Sequence, residues 1–380
     1  MRLQNVRVMG PTGLSLPTSI EVDAPGAVDR DASGLILSPG WLDLHAHLRD
    51  PGFPAKETLQ SGATSAAFGG FTHVVAMANT DPVTDRPEQV RALIARAAGL
   101  PIRMSFVAAV TMGLEGQTLT DAVALQRAGA VALSDDGRHL MDLVTLRRAL
   151  TAAAEAGLPL LIHAQIERLG DGPESEAAAV TQALEALAAV PRARLHVQHV
   201  STRASVDLIR TAKRQGLPVT AEATPHHLAL TAAEVVALGP QGNVNPPLRS
   251  VDDREALRQA LVEGVIDAIA TDHAPHDSGA KAAGANGFHG FETAVPVVMG
   301  LGLEDRVLYR ACVERPREII GQSIDEEWIL IDPAAEWIVD ASSFKSRGKN
   351  TPFSGRRLRG RIVMTLCRGQ VVMERVMQHA

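Results

Sequence analysis

Apolar residues recur along this chain in two rhythms. From about residue 35, short runs rich in Val, Ile, Leu and Ala alternate with longer stretches that carry an apolar stripe and stop at glycine. The runs are Trp41–His45, Thr72–Met77, Ile102–Ala109, Ala130–Leu133, Leu158–Ile162, Leu195–Gln198, Val219–Glu222 and Ile266–Ala270, eight candidate strands. The stretches between them read as helices. Gly129 closes Asp121–Ala128, Gly157 closes Leu143–Ala156, Gly216 closes Val206–Gln215 and Gly264 closes Arg254–Glu263, while Gly99 is followed by Pro101. Glycine just past a helix takes the left-handed conformation at little cost. Start signals agree: Thr84 and Asp85 precede Pro87, and Ser201 and Thr202 precede a helical run.

Short buried strands alternating with helices predict an α/β fold with a parallel sheet. Eight such units in about 240 residues match a (β/α)8 TIM-type barrel; a doubly wound open sheet is the alternative. Both ends break the rhythm. Residues 1–38 hold short strands and turns, and residues 328–380 hold WILIDP, EWIVD, RIVMTLC and QVVMERV, strand-like segments with hairpin breaks. The expectation is a small composite β-domain from 1–38 and 328–380 beside a barrel over 39–327. Asp277–His289, rich in Gly and Ala and without a clear period, reads as a mobile loop after the eighth strand that could cover a substrate.

Composition narrows the function. The 380 residues carry a net charge of -6, which leaves no basic surplus for nucleic acid or anionic lipid. No apolar run approaches the roughly 20 residues that span a bilayer, and MRLQNVRVMGPTG reads as a strand and turn, not as a signal peptide. The two cysteines, Cys312 and Cys367, fit a reducing cytoplasm better than a disulfide framework.

The informative polar residues sit where the candidate strands end. The first ends in Asp43, His45, His47 and Arg49; the second in Asn79; the fourth in Asp135 and Asp136; the fifth in His163; the sixth in His199; the seventh runs into His226 and His227; the eighth ends in Asp272, His273 and His276. In a closed barrel these ends converge on one face. His45 and His47, two apart on a strand, point to the same side. Joined by Asp136, His163, His199 and Asp272, they make a nitrogen and oxygen ligand set suited to zinc, with manganese, cobalt or iron as options. A central carboxylate can bridge two cations, a bound cation acidifies water, and Asp272 is placed to move the proton. Singly, each feature is weak: an HxH pair is often surface or core, Asp-Asp-Gly is usually a turn, and a lone His163 is usually a satisfied core residue. Together they strain the rule that polar groups inside a barrel must be paired or ligating. His73, His139, His196, His289 and His379 read as ordinary residues. Of His226 and His227, one is expected to line the site and the other to bond the loop.

At these residues the chain resembles the amidohydrolase superfamily and, within it, the class I bacterial dihydroorotases. The likeness runs from about Pro39 to Gly369 and rests on PGWLDLHAHLRDPG, GGFTHVVAMANTDPVTD, ALSDDG, HVQHVST, VTAEATPHHLALT, NVNPPLRS, IDAIATDHAPH, GFETA and KNTPFSG. It implies metal ligation by His45, His47, Asp136, His163, His199 and Asp272, with Asp136 bridging, Asp272 also the catalytic acid and base, and one or two zinc ions per chain. It implies that Arg49, Asn79 and His276 hold a substrate carboxylate. Asn245 would contact the ring amide, and Gly287 with the Phe288–Gly290 backbone would close over the ring. The implied reaction is reversible hydrolysis of dihydroorotate to carbamoyl aspartate. Hydantoinases and allantoinases usually carry a carbamylated lysine where this chain has Asp136. A non-catalytic subunit supporting aspartate transcarbamoylase is the other alternative, against which the full ligand set stands. The implied partners are a carboxylate-bearing small molecule, further copies of the chain and, as an option, aspartate transcarbamoylase. The chain departs from the family at Ala164-Gln165-Ile166, in the shortened segment Glu167–Ser175, and at His139.

Overall fold

The structure is a computed structural model that describes residues 1–24, 29–138, 142–324 and 326–375. His139 and His379 fall outside these residues. Eight parallel strands form one sheet in sequence order: β1 Trp41–Ala46, β2 Phe71–Ala76, β3 Arg103–Ala108, β4 Ala132–Ser134, β5 Pro159–Ile162, β6 Arg194–Val197, β7 Val219–Ala223 and β8 Ala268–Ile269. The last returns to the first through a parallel bridge between Ala46 and His273 and a hydrogen bond from His47 N to His273 O of 2.7 Å. The sheet is therefore a barrel, and the open-sheet alternative falls away. Asp43, fully buried, reinforces the seam: its carboxylate accepts from Thr271 N at 2.8 Å and from the Thr271 hydroxyl at 2.5 Å.

The helices follow their end signals. Leu143–Ala156 runs from an Asp142 cap, whose side chain accepts from Thr145 N, to Gly157 at φ 69°. Ser250 and Asp253 build a reciprocal capping box, so the helix expected to begin at Arg254 begins at Val251. The barrel interior is filled by Leu42, Leu44, Val75, Met77, Val107 and Leu161, with Ile319 and Ile320 packed into the same cluster. A larger apolar layer, including Leu146, Leu150, Val180, Ile209 and Leu257, seals helices to strands.

The two ends of the chain meet in a second sheet. The strand Trp328–Ile338 pairs antiparallel with Ile36–Pro39 and with Arg357–Cys367, and Ile36–Pro39 lies parallel to Arg2–Gly10. Leu3, Val6, Leu37, Leu330 and Leu366 form its own apolar cluster. Between these strands the chain leaves the sheet, and residues 345–353 return to the barrel mouth. There Gly348 N donates to Lys56 O at 3.0 Å. The stretch expected to be a mobile loop holds a short helix, Ser278–Ala282, capped by Asp277.

Candidate metal centre and active site

The first histidine pair straddles the end of β1: His45 lies within a register slip of one residue between Asp43 and Ala46, and His47 follows the strand. Leu42 and Leu44 both lie in the interior cluster, and the slip lets His45 face the barrel mouth as well. Asp136 is the hub. Its carboxylate oxygens lie 3.4 Å from His45 Nε2, 3.3 Å from His47 Nε2, 4.0 Å from His163 Nδ1 and 3.9 Å from His199 Nε2. Two ligand groups thus share it: His45 and His47 on one side, His163 and His199 on the other. Asp272 Oδ1 is 3.0 Å from His47 Nε2 and 3.6 Å from His45 Nε2. All six side chains are buried.

These residues fit a cation. Asp136 Oδ1 and His45 Nε2 are buried without a hydrogen-bond partner, a state that costs about 1–3 kcal/mol for each group if nothing satisfies it. Both point into the space that the other ligands share. Burial opposes ionisation of Asp136, but His45 and His47 beside it outweigh burial and hold its carboxyl well below the usual range. Burial, with His163 and His45 nearby, pushes His199 down to about 3, so it presents a neutral nitrogen lone pair. His199 and Asp272 adopt φ of 33° and 47°, and Arg49 one of 57°. Such conformations are costly for non-glycine residues and cluster at functional sites.

A second layer sets the imidazole orientations. Glu222, fully buried on β7, accepts from His45 Nδ1 at 2.8 Å through one oxygen and from His196 Nε2 at 3.1 Å through the other. His45 is thereby held with Nε2 toward Asp136. Burial works against the Glu222 charge, but the bonds from His196 and His45 prevail and bring it down to about 2. Neither Glu222 nor the supporting role of His196 was anticipated. The signal was present, since a glutamate flanked by alanines in VTAEA interrupts an otherwise apolar buried strand. We expect Glu222→Gln to lower metal affinity by about 10- to 100-fold while leaving the fold intact, as measured by competition with a chelating dye. Unchanged affinity would remove Glu222 from the centre.

Asp135, by contrast, is structural. It accepts from Val110 N at 2.8 Å, Thr111 N at 3.0 Å and the Thr111 hydroxyl. His227 bonds the loop, with Nε2 donating to Pro246 O at 3.0 Å, while His226 is buried against the Phe288 ring with Nε2 unpartnered.

A cavity of about 180 Å³ opens over the cluster. Arg49, Asn79, Asn245, Asn286 and Gly287 line it together with five of the six cluster residues, all but His45. Arg49 Nη2 sits 3.4 Å from His276 Nε2, and its Nε has no partner. Burial, with Arg49 and Lys56 close by, pushes His276 down to about 4. Asn79, on the cavity wall, also bonds to the centre: its Oδ1 accepts from His47 Nδ1 at 2.9 Å, and its Nδ2 donates to Asp136 Oδ2 at 3.3 Å. Asn245 Nδ2 donates to Gln165 Oε1 at 2.8 Å, so Gln165, one of the departures from the family pattern, has become a partner of the site. The roof is made by Asn286 and Gly287. Phe288 and Gly290 lie behind it: Phe288 O accepts from Ala274 N at 2.7 Å, and Gly290 N donates to His273 Nδ1 at 3.2 Å. Gly287 has φ 130°, and a Cβ there would meet Ala274 Cβ at 2.6 Å and Ala274 O at 2.8 Å. Gly287→Ala should therefore cost about 1–3 kcal/mol of stability, read as a lowered thermal midpoint; an unchanged midpoint would show that the roof yields freely.

Solved structures of the same architecture exist. The chain is similar to the L-hydantoinase (dihydropyrimidinase) from Arthrobacter aurescens, with a TM-score of 0.89 and 23% identity over 100% of this chain and 97% of that one. It is also similar to the dihydropyrimidinase from Brevibacillus agri NCHU1002, with a TM-score of 0.85 and 22% identity over 98% and 95% of the two chains. At such identities the likeness speaks for the fold. The barrel, whose His and Asp clusters could hold a metal ion, and the relatives that follow make this a metal-dependent cyclic amide hydrolase. Residues 34–190 match the family described as dihydro-orotase-like. The chain is 43% identical over 379 residues to the dihydroorotase of Anaeromyxobacter dehalogenans (strain 2CP-C), covering 90% of this chain and 88% of that protein. It is 42% identical over 384 residues to that of Thermus aquaticus, covering 90% of each. The chain belongs to the dihydroorotase family.

Proposed function

We infer that this chain interconverts (S)-dihydroorotate and N-carbamoyl-L-aspartate, a step of pyrimidine synthesis. The observation that carries the reading is Asp136, a carboxylate and not a lysine, set between two histidine pairs in a cavity that Arg49 also lines. A divalent cation held by His45, His47, Asp136, His163, His199 and Asp272, which we take to be zinc in one or two copies, would supply Lewis acidity and acidify water there.

The chain's own groups supply the rest. Arg49, whose Nε is unpaired, offers its guanidinium to a carboxylate on the substrate, and His276 stands beside Arg49 Nη2. Asn245 is placed against the ring amide. Asp272 takes the proton from the attacking water as the oxygen bonds to the ring carbonyl carbon. It passes that proton to the ring nitrogen as the carbon–nitrogen bond breaks. Cyclisation runs the same transfers backwards.

Residues 39–327 are proposed as the catalytic unit, with 1–38 and 328–380 as its β-domain; the strand Ile36–Pro39 straddles that boundary. No helix among the described residues is long and apolar enough to cross a membrane. Cys312 and Cys367 are buried and unpaired, which supports a cytoplasmic setting. Assembly with further copies, and a complex with aspartate transcarbamoylase, belong to the same proposal. The deciding experiment assays dihydroorotate, hydantoin and allantoin side by side with the metal-loaded protein. A strong preference for dihydroorotate, with only residual turnover of the neutral rings, is expected, and preferred turnover of either neutral ring would overturn the reading.

A further inference from the structure

Lys281 is fully buried, and the mechanism above makes no use of it. Its ammonium faces no carboxylate among the described residues; burial alone perturbs it, pushing its pKa down to about 8. All three of its donors are taken by backbone carbonyls instead: Asn243 O at 2.7 Å, Ala285 O at 2.9 Å and Gly287 O at 3.1 Å. Three donors are the full complement of a lysine side chain. The Phe288 ring lies alongside, its centroid 5.2 Å from Nζ.

The three carbonyls belong to two walls of the cavity. Asn243 lies two residues before Asn245, and Ala285 and Gly287 flank Asn286, the residue whose carbonyl accepts from His276 Nε2 at 2.8 Å. The walls also touch directly, since Gly287 N donates to Asn243 O at 3.0 Å. From the third side, Asn350 Nδ2 donates to Gly287 O at 2.7 Å while its Oδ1 accepts from His276 N at 2.8 Å. Gly287 O is thus held by both Lys281 and Asn350. An uncompensated ammonium is an expensive group to bury. An apolar side chain would fill the same space, but only a trivalent donor can gather three carbonyls from two separate segments.

We propose that Lys281 is a positioning residue: its ammonium ties the segment bearing Asn245 to the roof formed by Asn286 and Gly287, and so fixes the rim that receives the ring of the cyclic amide. Lys281 does not line the cavity and acts through these backbones. The inference rests on the reading of the cavity as a cyclic amide site.

Lys281→Met keeps the apolar stem and removes the donors. Two readouts are taken together on the metal-loaded enzyme: steady-state kinetics with dihydroorotate, and hydrogen exchange of the Gly287 and His289 amides. The expected result is a fall in kcat/KM of about 10- to 100-fold, mostly through KM. Faster exchange at both amides should accompany it, with metal content and the exchange of the Leu143–Ala156 helix unchanged. Kinetics within twofold of wild type would overturn the proposal even if exchange rises, because Lys281 would then hold the loop without shaping the site. Unchanged exchange would overturn it as well. Should wild type itself leave dihydroorotate untouched, the fault lies in the reaction assigned. The exchange measurement, made without substrate, still decides whether Lys281 holds the rim. If Lys281→Met fails to fold, Lys281→Gln, which retains two donors, is expected to fall between wild type and complete loss in both readouts; a Gln variant equal to wild type in both overturns the proposal.

Discussion

Replacing Asp272 by asparagine should cut kcat by about 10²- to 10⁴-fold, the range attached to a positioned general acid or base. The side chain is buried and held 3.0 Å from His47 Nε2, on a backbone at φ 47°. Burial raises the proton affinity of Asp272, yet His45 and His47 outweigh it and keep the carboxyl ionised well below its ordinary range. An ionised oxygen facing the cluster is what proton abstraction requires. Asparagine preserves the shape and removes that basicity. Metal content should stay close to wild type, because Asp136 and four histidines remain, and inductively coupled mass spectrometry checks this alongside turnover. Activity within threefold of wild type would strip Asp272 of its role.

The second large effect is expected at Arg49. Its Nε lacks a partner and its Nη2 lies beside His276 at the cavity wall. A site built to pair a charged substrate group loses on the order of 10⁴-fold in discrimination when the pairing is impossible. Arg49→Met should therefore depress kcat/KM for dihydroorotate by about that factor at most and by at least about 10²-fold. Residual turnover of hydantoin, which has no carboxylate, should be untouched. Equal losses on both substrates would mean that Arg49 shapes the cavity and does not read the acid.

Much of this was legible in the residues, and the parts that were not have physical reasons. The eight strands could be placed because buried parallel strands are short, apolar and bounded by helix caps. Their ends shifted where the caps were misread, as with Ser250 and the helix at Val251. The ligands stood out because His and Asp at the end of an apolar run contradict their surroundings. Glu222 obeys the same logic, since it closes the expected run Val219–Glu222, but a lone glutamate there does not announce whether it supports the site or faces outward. His196 looked ordinary because its partner was unrecognised. Asn79 was expected beside the substrate by resemblance; it lines the cavity, and its bonds to His47 and Asp136 lie between residues far apart in sequence, so no local pattern encodes them. The return of residues 345–353 to the barrel mouth is a long-range event that no local period encodes. The same holds for the anchorage of Lys281, whose Gly- and Ala-rich neighbourhood suggested only mobility.

Pro39 pairs with Trp328, so the outer sheet joins stretches about 290 residues apart. During synthesis the first strands can pair among themselves, but the edge of Ile36–Pro39 must wait for Trp328–Ile338 until the whole cylinder has been made. Trimming either terminus strips the opposite one of its neighbour and bares Leu37 or Leu330 to water. Deletions and domain fusions are therefore better sited in surface loops than at the strands nearest the ends.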